Sequence, residues 1–284
     1  MPELPEVETT KEGLKKDLEG QKIIKVELSN KKLRFPYDKN FEKKIIGKYI
    51  LSITRRAKYI IFKLSNEMKI ISHLGMSGSY RVIDKKLFNN RQKIKHDHFI
   101  MKTDKFVVIY NDPRRFGYIL LHSDTNFEHE RLSHLGYEPL SKNCNAENLS
   151  SLLYKKDRNI KNVLMDQKII AGLGNIYVCE ALYKSGISPL LEARRLVHKN
   201  RTPKKELILL VKNIKKIIDS SIILGGSSLK DYVNTEGKMG YFQNKFNVYG
   251  REGKKCISKG CSSSIKRIIQ SNRSTFFCPS CQKK

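Results

Sequence analysis

Four cysteines near the C-terminus, Cys256-x4-Cys261 and Cys278-x2-Cys281 with sixteen residues between the pairs, restrict this chain more than any other feature. Two close pairs flanking a short hairpin can present four thiolates tetrahedrally, which is the donor set and spacing of a zinc site. Four sulfurs leave no coordination position for water, so one Zn2+ is expected, structural and not catalytic. Ile265, Ile268, Ile269, Phe276 and Phe277 alternate with polar residues between the pairs and suit a two-stranded ribbon. A segment this small cannot fold unaided, and metal binding would supply its stability. Lys266, Arg267 and Arg273 on the same ribbon are placed to grip phosphates.

The remaining cysteines, Cys144 and Cys179, stand apart and read as plain buried residues. No run of about 18 apolar residues is present, so no membrane span is expected. The acids Glu3, Glu6 and Glu8 come at once, unlike the basic and then apolar start of a secretory signal. A cytoplasmic, reducing location follows, where a disulfide framework is disfavoured. Charge narrows the partner: 56 Lys and Arg against 28 Asp and Glu give +28 over 284 residues. Such an excess points to a polyanion, either nucleic acid or an anionic membrane surface, or to a solubilising surface rich in lysine. Charge by itself does not choose among these.

The texture of the chain changes twice. Residues 6–18 suit a short amphipathic helix with Val7, Leu14 and Leu18 facing a core. Short β-branched or alternating runs follow at 23–28, 49–53, 59–64, 69–72, 98–101 and 106–110, separated by turn residues, as in a sandwich or a barrel. Helical periodicity then takes over at 146–154, 160–170, 174–186 and 203–223. Between two of these helices, Ala171-Gly172-Leu173-Gly174-Asn175 is either a seat for phosphate at a helix start or a device for close helix packing. The expected domains are 1–135, 136–240 and 241–284.

The N-terminus also admits two readings. Removal of Met1 would leave Pro2 with a free secondary amine, and an α-amine titrates near 7.7–8.0 against about 10.4 for lysine. Attack of that amine on a sugar aldehyde gives an iminium, a good electron sink for elimination, with Glu3 beside it as acid or base. Alternatively, Pro5 and the acids simply start a helix and complement its dipole.

Pro2-Glu3-Leu4-Pro5-Glu6-Val7-Glu8-Thr9 resembles the opening signature of the formamidopyrimidine-DNA glycosylases, also called 8-oxoguanine DNA glycosylases. Arg55-Arg56-Ala57-Lys58-Tyr59, His73-Leu74-Gly75-Met76-Ser77-Gly78 and Asp112-Pro113-Arg114-Arg115-Phe116-Gly117 continue the likeness. Leu173-Gly174-Asn175-Ile176-Tyr177 and Arg273-Ser274-Thr275-Phe276-Phe277-Cys278-Pro279 extend it over almost the whole chain. The resemblance implies an α+β multidomain fold: an N-terminal β-sandwich with an N-terminal helix, a helix–two-turns–helix domain and a C-terminal zinc ribbon. Double-stranded DNA containing oxidised bases would lie in a cleft between the domains.

Carried over residue by residue, the resemblance makes Pro2 the nucleophile that forms a Schiff base with C1′. Glu3 assists base departure, and Glu6 lines the pocket. Lys58 is implied for β-elimination and Arg273 for δ-elimination, and both also suit phosphate clamping. Met76, Arg114 and Phe116 match the residues that fill the gap left by the extruded base. His73, His96 and Asn175 match DNA-contacting positions, and Lys156 aligns by its distance from Ile160-Lys161. Residues 226–241 resemble a loop that closes over the lesion. The implied activity is base-excision repair in a bacterial cytoplasm, nucleoid-associated through DNA. A monomer is expected, because a lesion in duplex DNA has no two-fold symmetry to match.

One departure is the first cysteine pair, separated by four residues where many family members have two. Rival readings remain. The related pyrimidine-directed endonuclease usually opens Pro-Glu-Gly-Pro, against Leu4 here. A non-catalytic zinc and DNA-binding protein would leave Pro2, Glu3 and Lys58 without a purpose, and a basic ribosome-associated protein explains still less.

Overall fold

The alternating runs of the first half build two four-stranded antiparallel sheets in the computed structural model, which describes residues 2–123, 129–227, 235 and 239–283. The chain divides into two compact units, Met1–Ser133 with Leu224–Tyr241, and His134–Ile223 with Phe242–Lys284.

In the first unit, helix α1 (Leu4–Leu18) begins two residues earlier than its periodicity predicts, because Glu3 serves as its N-cap and Pro5 is tolerated in the first turn. One sheet has the order β1 (Ile23–Leu28), β6 (Asp97–Thr103), β7 (Phe106–Asn111), β5 (Ser79–Asp84). The other runs β2 (Ile50–Arg56), β3 (Tyr59–Leu64), β4 (Lys69–His73), β8 (Tyr118–His122). The sandwich reading therefore holds over the barrel. Val26, Phe99, Met101, Val108 and Tyr110 from one sheet join Ile53, Ile60, Phe62 and Ile70 from the other in a single core, closed by Val7, Leu14 and Leu18 of α1. Strands β5 and β8, and the short helix α2 (Phe41–Ile45), are additions to the sequence reading. Both strands border the glycine-containing turns at 74–78 and 112–117, where the alternation is interrupted. The short helix α3 (Glu130–Ser133) ends this unit.

In the second unit, α4 (Ala146–Leu153), α5 (Ile160–Leu164), α6 (Asn175–Lys184) and α7 (Lys205–Ile223) carry the helical periodicity. The expected helix over 160–170 stops at Leu164. There the Gln167 side chain donates to Met165 O and Leu173 O and accepts from Gly172 N, so the chain turns instead of continuing. Asn145 and Asn159 cap α4 and α5 through their side-chain oxygens, accepting from Asn148 N and Asn162 N. The ribbon is the antiparallel pair β9 (Lys266–Gln270) and β10 (Arg273–Phe277). Cys144 and Cys179 are both 1% exposed, as expected. Among the described residues no helix is long and apolar enough to cross a membrane.

Candidate active site and nucleic-acid interface

The start of α1 is built around two buried carboxylates. Glu3 and Glu6, 3% and 1% exposed, form a reciprocal capping box: Glu3 accepts from Glu6 N, and Glu6 Oε2 accepts from Glu3 N at 2.8 Å. Glu6 Oε1 accepts in addition from Ser227 N at 2.7 Å and Ser227 Oγ at 3.0 Å. Gly226 has φ +81, and a Cβ there would meet Glu6 at 3.0 Å, so only glycine suits this approach. Pro2 is buried immediately before the box. The lesion-covering loop read over 226–241 falls largely outside the described residues.

Helix α1 is tied to the β2–β3 hairpin by Glu8, which accepts from Arg55 Nε at 2.5 Å and pairs with Lys11 at 2.7 Å. Burial opposes ionisation of Glu8, yet Lys11 and Arg55 hold its carboxyl below the usual range. Arg55 Nη1 also donates to Ala57 O at 2.9 Å, and Ala57 takes φ +52 at the turn that presents Lys58, itself 8% exposed.

Register places Tyr59 opposite His73 and His73 opposite Tyr118. The His73 ring stacks on Tyr118 at 5.2 Å with 9° between planes, and the Tyr59 ring lies 5.0 Å from His73 and 6.3 Å from Tyr118. Arg131 packs over Phe35 and Tyr118 in the same cluster. His73 Nδ1 accepts from Gly75 N at 2.9 Å, which leaves Nε2 as the donor. Burial first, then the positive charges of Lys58, Arg34 and Arg131, push its pKa down to about 3, so the ring is neutral.

Two loops carry the candidate gap-filling residues, and one buried carboxylate joins them. Asp112 is fully buried. Its Oδ1 accepts from Ser77 Oγ at 2.6 Å and Arg114 N at 3.2 Å. Its Oδ2 accepts from Gly117 N at 2.8 Å and Tyr110 Oη at 3.5 Å. Its own N–H donates to His96 O at 3.1 Å. Met76, 36% exposed, thus stands on a turn bonded to the loop that presents Arg114 and Phe116. A Cβ on Gly75 would come within 2.3 Å of Gly117 N, so that close approach requires glycine. The Arg114 guanidinium sits over the exposed Phe116 ring at 5.0 Å. Sequence reasoning assigns Asp112 no role; the available signal is an acid before a proline in a turn between apolar runs.

In the second unit, Asn175 is the first residue of α6 and donates to Ser274 O of β10 at 2.8 Å, while its Oδ1 is buried with no hydrogen-bond partner among the described residues. Lys161 donates to Thr275 Oγ1 at 2.6 Å, and both side chains are fully buried. Arg273 is exposed at the start of β10 and shares a surface hollow with Arg158, Asn162 and Ser271. Lys156 is exposed in the turn after α4, where its N–H donates to Leu153 O at 2.9 Å and its carbonyl accepts from Arg194 N at 3.1 Å. Glu180, 1% exposed, accepts from the backbone N–H groups of Asn247, Val248 and Tyr249 and so fixes the entry to the ribbon.

The sulfurs of Cys256, Cys261, Cys278 and Cys281 all lie within 4.8 Å of one another. Cys256 and Cys281 are 3.8 Å apart and Cys261 and Cys278 3.7 Å. A tetrahedron with zinc–sulfur bonds of about 2.3 Å has edges of about 3.8 Å, so the four residues fit one zinc ion.

Comparison with known proteins agrees along the whole chain. Residues 1–119 match the formamidopyrimidine-DNA glycosylase N-terminal domain, 135–233 the formamidopyrimidine-DNA glycosylase H2TH domain, and 253–284 a zinc finger found in FPG and IleRS. Formamidopyrimidine-DNA glycosylases of Bartonella tribocorum and Sinorhizobium fredii are each 46% identical, with both chains fully covered. Among solved structures, a Lactococcus lactis relative in complex with abasic-site DNA aligns at TM-score 0.86 and 37% identity, covering 99% of this chain and 100% of that one. A mutant of that relative with Fapy-dG-containing DNA gives TM-score 0.87 at 37% identity, with full coverage of both chains.

Proposed function

Because the chain belongs to the formamidopyrimidine-DNA glycosylase family, we propose that it removes oxidised purines from duplex DNA and cleaves the resulting abasic strand, with Pro2 as nucleophile. The observation that carries this reading is the capping box, which holds Glu3 and Glu6 buried directly beside Pro2.

Attack of the Pro2 nitrogen on C1′ forms a carbon–nitrogen bond as the glycosidic bond breaks, and the departing base takes up a proton. Glu3 manages that proton and ring opening of the sugar. The product is an iminium at C1′. Loss of a proton from C2′ expels the 3′ phosphate, a further proton loss expels the 5′ phosphate, and hydrolysis of the iminium frees Pro2. Lys58 and Arg273 serve the β and δ steps, with phosphate positioning as a large part of their work. Extrusion of the base costs a few kcal/mol, which Met76, Arg114 and Phe116 offset by filling the gap, Arg114 facing the orphaned cytosine. His73, His96, Asn175 and Lys156 contact the DNA backbone.

Zinc contributes structure to the ribbon that carries Arg273. In functional terms the chain divides as 1–135 for chemistry, 136–240 for DNA binding and lesion capping, and 241–284 for the ribbon. The enzyme works in the bacterial cytoplasm, on the nucleoid through its DNA.

Glu3→Gln and a Met1-retaining form, each assayed on 8-oxoguanine and preformed abasic duplexes, test this. An abasic site already offers an aldehyde, so Glu3→Gln should lose excision about a hundred- to ten-thousand-fold while keeping most strand cleavage. Retained Met1 should abolish borohydride trapping on both substrates. Equal losses for Glu3→Gln on both substrates, or normal trapping with Met1 retained, would refute the assignment.

A further inference from the structure

The four cysteines do not share one environment. Cys256 and Cys278 are 7% and 0% exposed and belong to an apolar cluster with Cys179, Tyr183, Val248 and Ile265, whereas Cys261 and Cys281 are half-exposed. Four thiolates around one divalent ion carry a net charge of −2. Water can solvate that charge at Cys261 and Cys281, but the protein must supply the donors at the buried pair.

At Cys256 one donor is the backbone N–H of Ser258, within the knuckle itself, and a second comes from outside the ribbon. The Tyr183 hydroxyl, in the last turn of α6, lies 3.2 Å from Cys256 Sγ and 2.8 Å from Ser258 Oγ. Ser258 sits inside the four-residue span that makes this knuckle wider than a two-residue one, and its carbonyl accepts from Cys261 N at 3.0 Å. A zinc-bound thiolate can only accept. With the tyrosine proton on sulfur, the serine hydroxyl, which also lies within hydrogen-bond reach of Cys281, donates to the tyrosine oxygen.

We propose that Tyr183 is a positioning residue for the zinc site: its hydroxyl donates to the Cys256 thiolate and accepts from Ser258, anchoring the widened knuckle to helix α6. The arrangement relieves charge on the most apolar side of the cluster. It also makes zinc retention depend on a helix whose first residue, Asn175, binds the ribbon strand carrying Arg273.

The test uses the full-length zinc-loaded protein and its cobalt-substituted form, with Tyr183→Phe and Ser258→Ala. Removing such an outer partner commonly lowers metal affinity about 10- to 100-fold. Tyr183→Phe should therefore yield zinc to a competing chelator at least about tenfold more readily, with Ser258→Ala less affected because the bond to sulfur survives. In the cobalt form, Tyr183→Phe should move the sulfur-to-metal charge-transfer band to lower energy, since one thiolate loses a hydrogen bond, while Ser258→Ala leaves the band near its original position. Iodoacetamide should label Cys256 faster in Tyr183→Phe alone. Unchanged zinc competition and an unchanged cobalt band in Tyr183→Phe would overturn the proposal. So would Ser258→Ala matching Tyr183→Phe in the cobalt spectrum, which would mean that serine, not tyrosine, supplies the proton to sulfur.

Discussion

The paired loops at 74–78 and 112–117 and the C-terminal ribbon both carry candidate DNA contacts on irregular backbone, but they are held by opposite means. The loops rise from a sandwich whose core includes Phe62, Tyr80, Phe99 and Tyr110, and a single carboxylate, Asp112, is enough to join them. The ribbon has almost no core of its own. Its apolar cluster holds only two buried cysteines, Val248 and Ile265, and these complete their packing against Cys179 and Tyr183 of α6. A loop on a large core needs only its polar groups satisfied, whereas a ribbon without one needs a metal.

Metal removal should separate the two regions most sharply. Structural zinc sites contribute on the order of 10–16 kcal/mol of apparent folding free energy, so stripping zinc should unfold the ribbon outright. Hydrogen exchange should show protection lost over 266–277 and kept over 99–110, with DNA binding abolished. Retained protection in the ribbon, or a folded active preparation lacking zinc by elemental analysis, would contradict the distinction.

The matching lesion in the first unit is Asp112→Ala. It strands the buried Gly117 N–H and the Ser77 hydroxyl, at about 1–3 kcal/mol for each unsatisfied group, so a loss of roughly 3 kcal/mol is expected. Because the sandwich core is untouched, the variant should stay folded at 25 °C while Met76, Arg114 and Phe116 lose their common registration. Excision from 8-oxoguanine duplex should fall far more than cleavage at a preformed abasic site. Chemical denaturation with parallel assays on both substrates checks this, and equal losses on the two would show that Asp112 supports the fold alone.

How much of this was legible in the sequence follows the same division. The zinc site was fully readable, because four ligands of one type announce themselves by spacing. The strands at 23–28 and 59–64 were readable from alternation, and the N-terminal motif pointed to Pro2 and Glu3. What stayed hidden depends on partners distant in the chain. Nothing local tells that Glu6 meets Ser227, that Asp112 accepts from Ser77, or that Tyr183 reaches Cys256. Tyr59, His73 and Tyr118 form one aromatic box only through strand register, and Tyr118 lies on β8, a strand that the alternation pattern did not reveal.

A finer cut within the loops concerns Arg114, which hydrogen-bonds to Asp112 through its backbone and leaves its guanidinium over Phe116. Arg114→Ala should spare stability and flatten the preference for cytosine opposite the lesion by about 1–3 kcal/mol. Single-turnover excision against each of the four opposite bases measures it. A preference that survives unchanged would make Arg114 a phosphate contact.

The smallest effect distinguishes Lys58 from His73, neighbours with opposite charge behaviour. The histidine is neutral, since burial and nearby cations push its pKa down to about 3. Unfolded, it takes up a proton near 6.5, so its depressed folded pKa erodes stability as pH falls below that value, by at most about 1.4 kcal/mol per pH unit. At pH 7 the phosphate contact proposed for it would be a neutral Nε2–H donation, which displaces no counterion. Replacing His73 with Gln should therefore weaken DNA binding without changing the slope of log K against log salt. Lys58→Gln removes a charge, and the slope should become shallower by about 1. Binding titrations of an abasic-analogue duplex at several salt concentrations give both numbers. A slope change for His73→Gln as large as that for Lys58→Gln would mean that the ring is protonated on DNA, and that the phosphate overrides the burial that keeps it neutral in the free protein.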